Sequence, residues 1–230
     1  MKTCLVFGGS GAIGSAVAEL YGTLGYSVWT TTRKSETRRD FQIQITGDQL
    51  SDRNSLESLP ELDAVVWAQG VNQNDSILDV DAGSLSYVLE ANTVFVASTM
   101  QSLISTGRIG QGSRLCVVSS IWQEITRTNK FSYSVSKAAL GALVKSAAID
   151  LSALGIFVNA VLPGVLDTPM TRSVLSEEQL RNVEHATGFN RLVSPKQIAQ
   201  VVEFLCSDLN MGISGQSIVV DLGFSNAKQI

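Results

Sequence analysis

The strand-length apolar runs of this chain show almost no polar alternation. Thr3–Phe7, Ala64–Ala68, Arg114–Val118 and Phe157–Leu162 are largely apolar from end to end. A strand covered on one face alternates; a strand covered on both faces does not. With Ser27–Thr31, Phe41–Ile45 and Ser217–Asp221 they make seven strand candidates. Helix-length segments lie between them: Ala12–Leu24, Ser84–Ser105, Ser134–Leu154 and Pro195–Cys206. Ser194 before Pro195 is a helix-start signal, a capping hydroxyl followed by a residue that needs no N–H partner. The alternation predicts an α/β fold, a three-layer doubly wound parallel sheet. One connection is abnormal. Fewer than a dozen residues, Lys34–Asp40 among them, join the second and third strand candidates. A parallel crossover ordinarily takes a dozen or more. Either this crossover is shortened or the strand boundaries lie elsewhere.

Length and composition narrow the function classes. The 230 residues suit one domain, 1–230, and 44% hydrophobic residues can bury a sizeable core. Charged residues are 17%, below the usual quarter, which favours much covered surface and a homo-oligomer. A net charge of −4 without a basic run argues against a nucleic-acid partner. Cys4, Cys116 and Cys206 show no metal spacing, and the single His185 cannot complete a site with them, so no metal is expected. Cys4 and Cys116 sit in apolar runs and read as buried thiols, which fits a reducing, cytoplasmic compartment. The apolar run Cys4–Phe7 is too short for a signal peptide or a membrane span, so no membrane partner is expected.

A glycine-rich loop follows the first strand: Gly8-Gly9-Ser10-Gly11-Ala12-Ile13-Gly14. Glycines allow a tight turn and close approach to a pyrophosphate, and the following helix offers free N–H groups to that anion. The same string could serve as a plain tight turn. The residue type after the second strand separates the cofactors. An acid there would hold the ribose 2′-hydroxyl of NAD; a base suits the 2′-phosphate of NADP. This strand runs into Thr31-Thr32-Arg33-Lys34 with no acid. Arg33 can pair with a phosphate through two N–H groups, which favours NADP(H), with NAD(H) as the alternative. The competing reading makes both cations ordinary loop residues.

Tyr133-Ser134-Val135-Ser136-Lys137 opens a long helical pattern. Tyr133 and Lys137, at i and i+4, share a helix face. A free phenol titrates near pH 10, and a nearby ammonium favours its ionised form. Such a pair can give a proton to a carbonyl oxygen or take one from an alcohol. By itself the spacing is common and fits an exposed pair. Ser119 and Ser120, however, end the strand Arg114–Val118, where α/β sheets place ligands.

Together these features resemble the short-chain dehydrogenase/reductase family, in its single-domain branch with a Rossmann fold. Ser120 precedes Tyr133 by thirteen residues, the family's usual interval. Asn92, in Glu90-Ala91-Asn92-Thr93, resembles the helix asparagine of the family's tetrad. Ala68-Gln69-Gly70 stands where the family has Asn-Ala-Gly. Asn159-Ala160-Val161-Leu162-Pro163-Gly164, with Thr168 beyond, is similar to the segment beside the nicotinamide. The resemblance implies roles. Tyr133 would be the general acid/base, and Lys137 would bind the nicotinamide ribose and depress the tyrosine pKa. Ser120 would hold the substrate oxygen, and Asn92 would anchor a water chain. The cofactor would lie along Gly8, Ser10, Gly11, Ala12, Ile13 and Gly14, then Thr32 and Arg33. Gln49 with Leu50, Ala68, Gln69 and Gly70 would follow, and then Pro163, Gly164, Leu166 and Thr168. Two departures stand out. Ala12 replaces a glycine of the branch's usual loop, leaving a Gly8, Gly11, Gly14 spacing seen in the nucleotide-sugar branch. Gln49 stands where the family has an aspartate near the adenine.

The resemblance implies an NADP(H)-dependent oxidoreductase interconverting a keto group and an alcohol on a small polar or acyl substrate, such as a 3-oxoacyl thioester or a keto sugar. A nucleotide-sugar epimerase or dehydratase and a non-catalytic NADP(H)-binding protein are the competing readings. Specificity is expected in Ile121–Ser132, with Trp122, Gln123, Arg127 and Lys130, and in a lid, Asp167–Arg191. Within the lid, Asp167 and His185 are weak candidates for function. Members of the family commonly pair through the two long helices, here Ser84–Ser105 and Ser134–Leu154. A tetramer is expected first and a dimer second, with Ala142 and Ala148 at the contact.

Overall fold

The computed structural model describes residues 1–32, 42–44 and 56–227. Among these residues seven parallel strands form one sheet: β1 (Thr3–Phe7), β2 (Ser27–Thr32), β3 (Gln42–Gln44), β4 (Ala64–Trp67), β5 (Arg114–Val118), β6 (Phe157–Pro163) and β7 (Ser217–Val220). Their spatial order is β3-β2-β1-β4-β5-β6-β7, with the reversal between β1 and β4 that defines a doubly wound sheet. The strand boundaries fall within a residue of those expected, and β3 pairs with β2 as a parallel neighbour. The connection at Lys34–Asp40 lies outside the described residues, as do Arg33, Gln49 and Leu50.

Among the described residues the helices are α1 (Ala12–Thr23), α2 (Ala82–Leu89), α3 (Phe95–Ser105), α4 (Phe131–Asp150), α5 (Pro169–Val174), α6 (Glu177–His185) and α7 (Pro195–Cys206). Successive side chains of a strand point to opposite faces, so an unalternating strand must be covered twice. In β1, Leu5 and Phe7 join one core with Trp67, Val96, Met100, Leu140 and Val144. Cys4 and Val6 join the other with Val17, Tyr21, Ile198 and Val202. Phe7 stacks on Trp67 at 5.5 Å, and Trp67 donates its indole N–H to Thr99 at 2.9 Å. All three cysteines are buried, as expected of Cys4 and Cys116. Burial pushes the Cys4 thiol up, and contact with Cys206 and burial do the same to Cys116. Among the described residues no helix is long and apolar enough to cross a membrane, and no cluster could hold a metal ion.

Helix boundaries follow their capping chemistry. Ser194 accepts from the Gln197 N–H, and Gln197 answers to the Ser194 N–H at 2.9 Å. The expected helix Ser84–Ser105 is instead interrupted. A π-helical turn, Glu90–Val94, separates α2 from α3, and the Phe95 N–H reaches back five residues to Glu90. Helix α4 presents two unlike sides. Leu140, Val144 and Ala148 are buried against the sheet, while Ala142, Lys145, Ser146 and Ile149 are exposed. Ala148 therefore belongs to this subunit's own core and cannot be a contact residue between copies. Ala142 remains available.

Candidate active site

Because every strand is parallel, the carboxyl ends of β1, β4, β5 and β6 share one edge of the sheet. Each candidate segment leaves from that edge: Gly8–Gly14 after β1, Ala68–Gly70 after β4, Ser119–Ser120 after β5, and Gly164–Thr168 after β6. This convergence turns dispersed sequence segments into one site.

The glycine loop is held against β2. The Gly8 N–H donates to Thr31 Oγ1 at 3.1 Å, and the Gly9 N–H donates to the Thr31 carbonyl at 3.2 Å. Gly8 has φ +80°, and a Cβ there would meet the Gln69 backbone at 2.8 Å. A Cβ on Gly14 would stand 2.2 Å from the Gly8 carbonyl, so the first turn of α1 packs directly on the loop. Gly11 caps α1 with no side-chain bond to the helix N–H groups. Ser10, Gly11 and Ala12 are exposed and Ile13 is half-buried. A turn built so tightly, opening a helix whose first N–H groups have no side-chain acceptor, fits a dinucleotide's pyrophosphate. Along the same edge, both amide atoms of the half-buried Gln69 are shielded from solvent and lack a partner. Gly164 has a nearer reason to be glycine: a Cβ would lie 2.7 Å from that of Asp221. Thr168 caps α5 through the Thr171 N–H at 3.2 Å, and Leu166 bridges to Val193. Pro163 ends β6 and Thr32 ends β2.

Asn92, Ser120, Tyr133 and Lys137 come together beside this loop. Ser120 accepts from the Trp122 N–H at 3.3 Å, the turn role expected at a strand end, and also hydrogen-bonds the Tyr133 phenol. Burial pushes the Tyr133 phenol up, and the Ser120 bond pulls it partly back. The net direction is upward, whereas the resemblance implied a depressed tyrosine. Lys137 is 3% exposed, with Nζ 5.5 Å from the Tyr133 ring centroid and 3.3 Å from the Val118 carbonyl. Burial lowers its pKa to about 8. A buried ammonium with that pKa is at once a charge source for a phenolate and a proton carrier near neutral pH.

Asn92 lies in the π-helical turn, a deviation that often marks functional positions. It clamps Val71, accepting from the N–H at 2.8 Å and donating to the carbonyl at 3.0 Å. It also donates to Ser136 Oγ at 2.9 Å. A Cβ on Gly70 would stand 3.1 Å from Asn92 Oδ1 and 3.6 Å from Lys137 Nζ, so both groups border Gly70. Ser136 is the residue that sequence reasoning missed. It is fully buried and links Asn92 to the Tyr133 carbonyl, to which it donates at 2.8 Å. Its place one residue before Lys137 was the available signal.

The expected specificity loop is reassigned in part. Gln123 turns inward, donating to Ser217 Oγ at 2.9 Å and packing where a Cβ on Gly141 would stand. Lys130 is buried, not free for a substrate. Arg127 lies over the Trp122 ring at 5.9 Å and stays exposed. In the expected lid, Asp167 pairs with Arg172 at 2.6 Å, which holds its carboxyl below the usual range. His185 Nδ1 lies 3.1 Å from Asn190 Oδ1. Both have local structural partners.

Comparison with known proteins agrees with this geometry. Residues 9–225 match the family model described as enoyl-(acyl carrier protein) reductase. A tropinone reductase homolog of Arabidopsis thaliana is 30% identical over 97% of this chain and 90% of its own length. The 3-oxoacyl-(acyl-carrier-protein) reductase FabG of Aquifex aeolicus is 28% identical over 96% of each chain. A short chain dehydrogenase family protein from Francisella tularensis superposes with a TM-score of 0.89 at 27% identity, over 99% of this chain and 100% of its own. With its doubly wound parallel sheet, the chain belongs to the short-chain dehydrogenase/reductase family, NAD(P)-binding oxidoreductases that act between CH–OH and C=O groups.

Proposed function

We propose that the chain is an NADP(H)-dependent reductase of a keto group on a small polar or acyl substrate, and that Tyr133 is its general acid/base. The observation that carries the reading is the meeting of Tyr133, Ser120 and Lys137 beside the open amino end of α1. The dinucleotide, when bound, supplies the hydride chemistry at the carbonyl carbon. Tyr133 donates a proton to the forming alkoxide oxygen, and Ser120 hydrogen-bonds that oxygen as its charge develops. Lys137 holds the ribose, steadies the tyrosinate and returns its proton. Asn92 fixes Val71 and, through Ser136, the first turn of α4, so the donors are set before substrate arrives. The segment Asp167–Arg191 acts as the lid. A 3-oxoacyl thioester is the first substrate to try, by likeness to the FabG reductase, and a keto sugar the second. A carbonyl panel followed by nicotinamide absorbance tests the reaction; no turnover with any carbonyl would defeat it.

Arg33 carries the cofactor preference in this reading, from its place directly after β2. Losing one charge-assisted phosphate contact costs about 1.5–3 kcal/mol. Arg33→Ala is therefore expected to weaken NADP(H) while leaving NAD(H) nearly unchanged, as calorimetric titration would read. Equal weakening of both cofactors contradicts the assignment.

We further propose a homotetramer, with a dimer as the next form. Val135, Ile149 and Leu154 on or just beyond α4, and Tyr87 and Val94 on the adjoining helix, are exposed. Around the sheet edge, Phe204, Leu209, Met211 and Val219 are exposed as well. Ala142→Arg is expected to halve the mass seen by light scattering with the fold intact. An unchanged mass removes α4 from the interface.

A further inference from the structure

Lys130 immediately precedes α4 and is 5% exposed. Its Nζ donates to Asn72 Oδ1 and Asn74 Oδ1, each at 2.6 Å. The same Nζ lies 5.5 Å from the Tyr133 ring centroid, the distance at which Lys137 stands. Tyr133 is thus approached by two ammonium groups, Lys130 from just before the helix and Lys137 from one turn into it, the latter at the separation that shares a helix face. Neither lysine is among the ion pairs of the described residues, which join Lys2 and Arg114 to Asp208, Arg172 to Asp167, and Arg181 to Glu177. Two amide oxygens solvate the Lys130 charge without neutralising it. A buried cation in that condition is costly unless an anion is supplied. Asp75 lies near enough to support the charge but forms no ion pair with Lys130, and the further anion that the chemistry generates is the tyrosinate.

We propose that Lys130 is a positioning residue for Tyr133, a second buried ammonium that balances the tyrosinate charge and fastens the 72–75 loop to the catalytic helix. The fastening is visible in the backbone. The Phe131 N–H donates to the Asp75 carbonyl at 3.2 Å, and the Ser132 N–H donates to Asp75 Oδ1 at 2.9 Å. The Asn92 clamp on Val71 holds the other end of the same loop. The groups facing Tyr133 are Lys130, Lys137 and Ser120; those acting on Lys130 are Arg127, which opposes its charge, and Asp75, which supports it. Burial is the largest influence on Lys130 and lowers its pKa.

The inference rests on Tyr133 as the acid/base, but its main test needs no turnover. The phenolate absorbance of the full chain is titrated against that of Tyr133→Phe, and the difference isolates Tyr133. The measurement is repeated for Lys130→Met and Lys130→Gln, each with its own Tyr133→Phe control. Both neutral variants should raise the Tyr133 midpoint by about one unit, the shift expected on removing an opposite charge at this range. The acid limb of alcohol oxidation should move with it, while Lys130→Arg restores the original midpoint. An unmoved midpoint in the folded neutral variants overturns the proposal. If Lys130→Met does not fold, Lys130→Gln, which can still meet both asparagines, decides. If the midpoint moves but Tyr133→Phe keeps its turnover, the charge pairing stands and the catalytic reading fails.

Discussion

Tyr133→Phe should fold and bind cofactor as the parent chain does, yet reduce carbonyls on the order of 10²–10⁴-fold more slowly. The phenylalanine keeps the ring that Lys130 and Lys137 each approach at 5.5 Å. What goes is the hydroxyl, its bond to Ser120, and the one proton donor placed beside that serine. The loss should therefore fall on kcat rather than on KM or on the dissociation constant of the dinucleotide. Melting temperature and calorimetric titration check the first half, and single-turnover rates check the second. Residual activity within tenfold of the parent would remove Tyr133 from the acid/base role.

Lys137→Met should make the chain more stable while disabling it. Unfolded, the ammonium titrates at its ordinary 10.5; inside the fold it titrates at about 8. Between those values the unfolded chain binds more protons than the folded one, so stability rises with pH across that window. The penalty is complete below about pH 8 and relieved towards pH 10.5. Methionine fills a similar volume without the charge. We expect a gain of about 2 kcal/mol at neutral pH, less than the whole shift because the Val118 carbonyl loses its donor. For a chain of this size the melting temperature should rise by about 4–8 °C. The gain should shrink in melts taken near pH 10, and turnover should be lost at every pH. A variant less stable than the parent at neutral pH would show that Lys137 holds the fold together instead of straining it.

Much of this architecture was legible because its cause is local. Apolar runs without alternation demand cover on both faces, and β1 divides its side chains between two cores accordingly. Ser194, Pro195 and Gln197 spell a helix start in adjacent letters, and the helix begins there. The same grammar stands in the expected lid, where Ser176 and Gln179 cap α6. What stayed hidden depends on distance along the chain. Lys130 reads as a loop cation until Asn72 and Asn74, more than fifty residues away, are seen to enclose it. Ala142 and Ala148 look alike in sequence; the phase of the helix against the sheet buries one and exposes the other. The π-helical turn has no residue signature, because it is a matter of count.

That count has an evolutionary side. A π-helical turn is an α-helix carrying one inserted residue, and each residue advances the helix by roughly 100°. Asn92 meets Val71 and Ser136, while Thr99 on the following helix still reaches Trp67 in the core. Deleting a single residue from Glu90–Val94 would restore a regular helix, yet it would swing one of these partners out of reach of the other's frame. Apart from Asn92, residues in this stretch can be substituted one at a time, but a change of length cannot be tolerated. Gaps should therefore be rarer here than in the exposed connections, whatever the letters do.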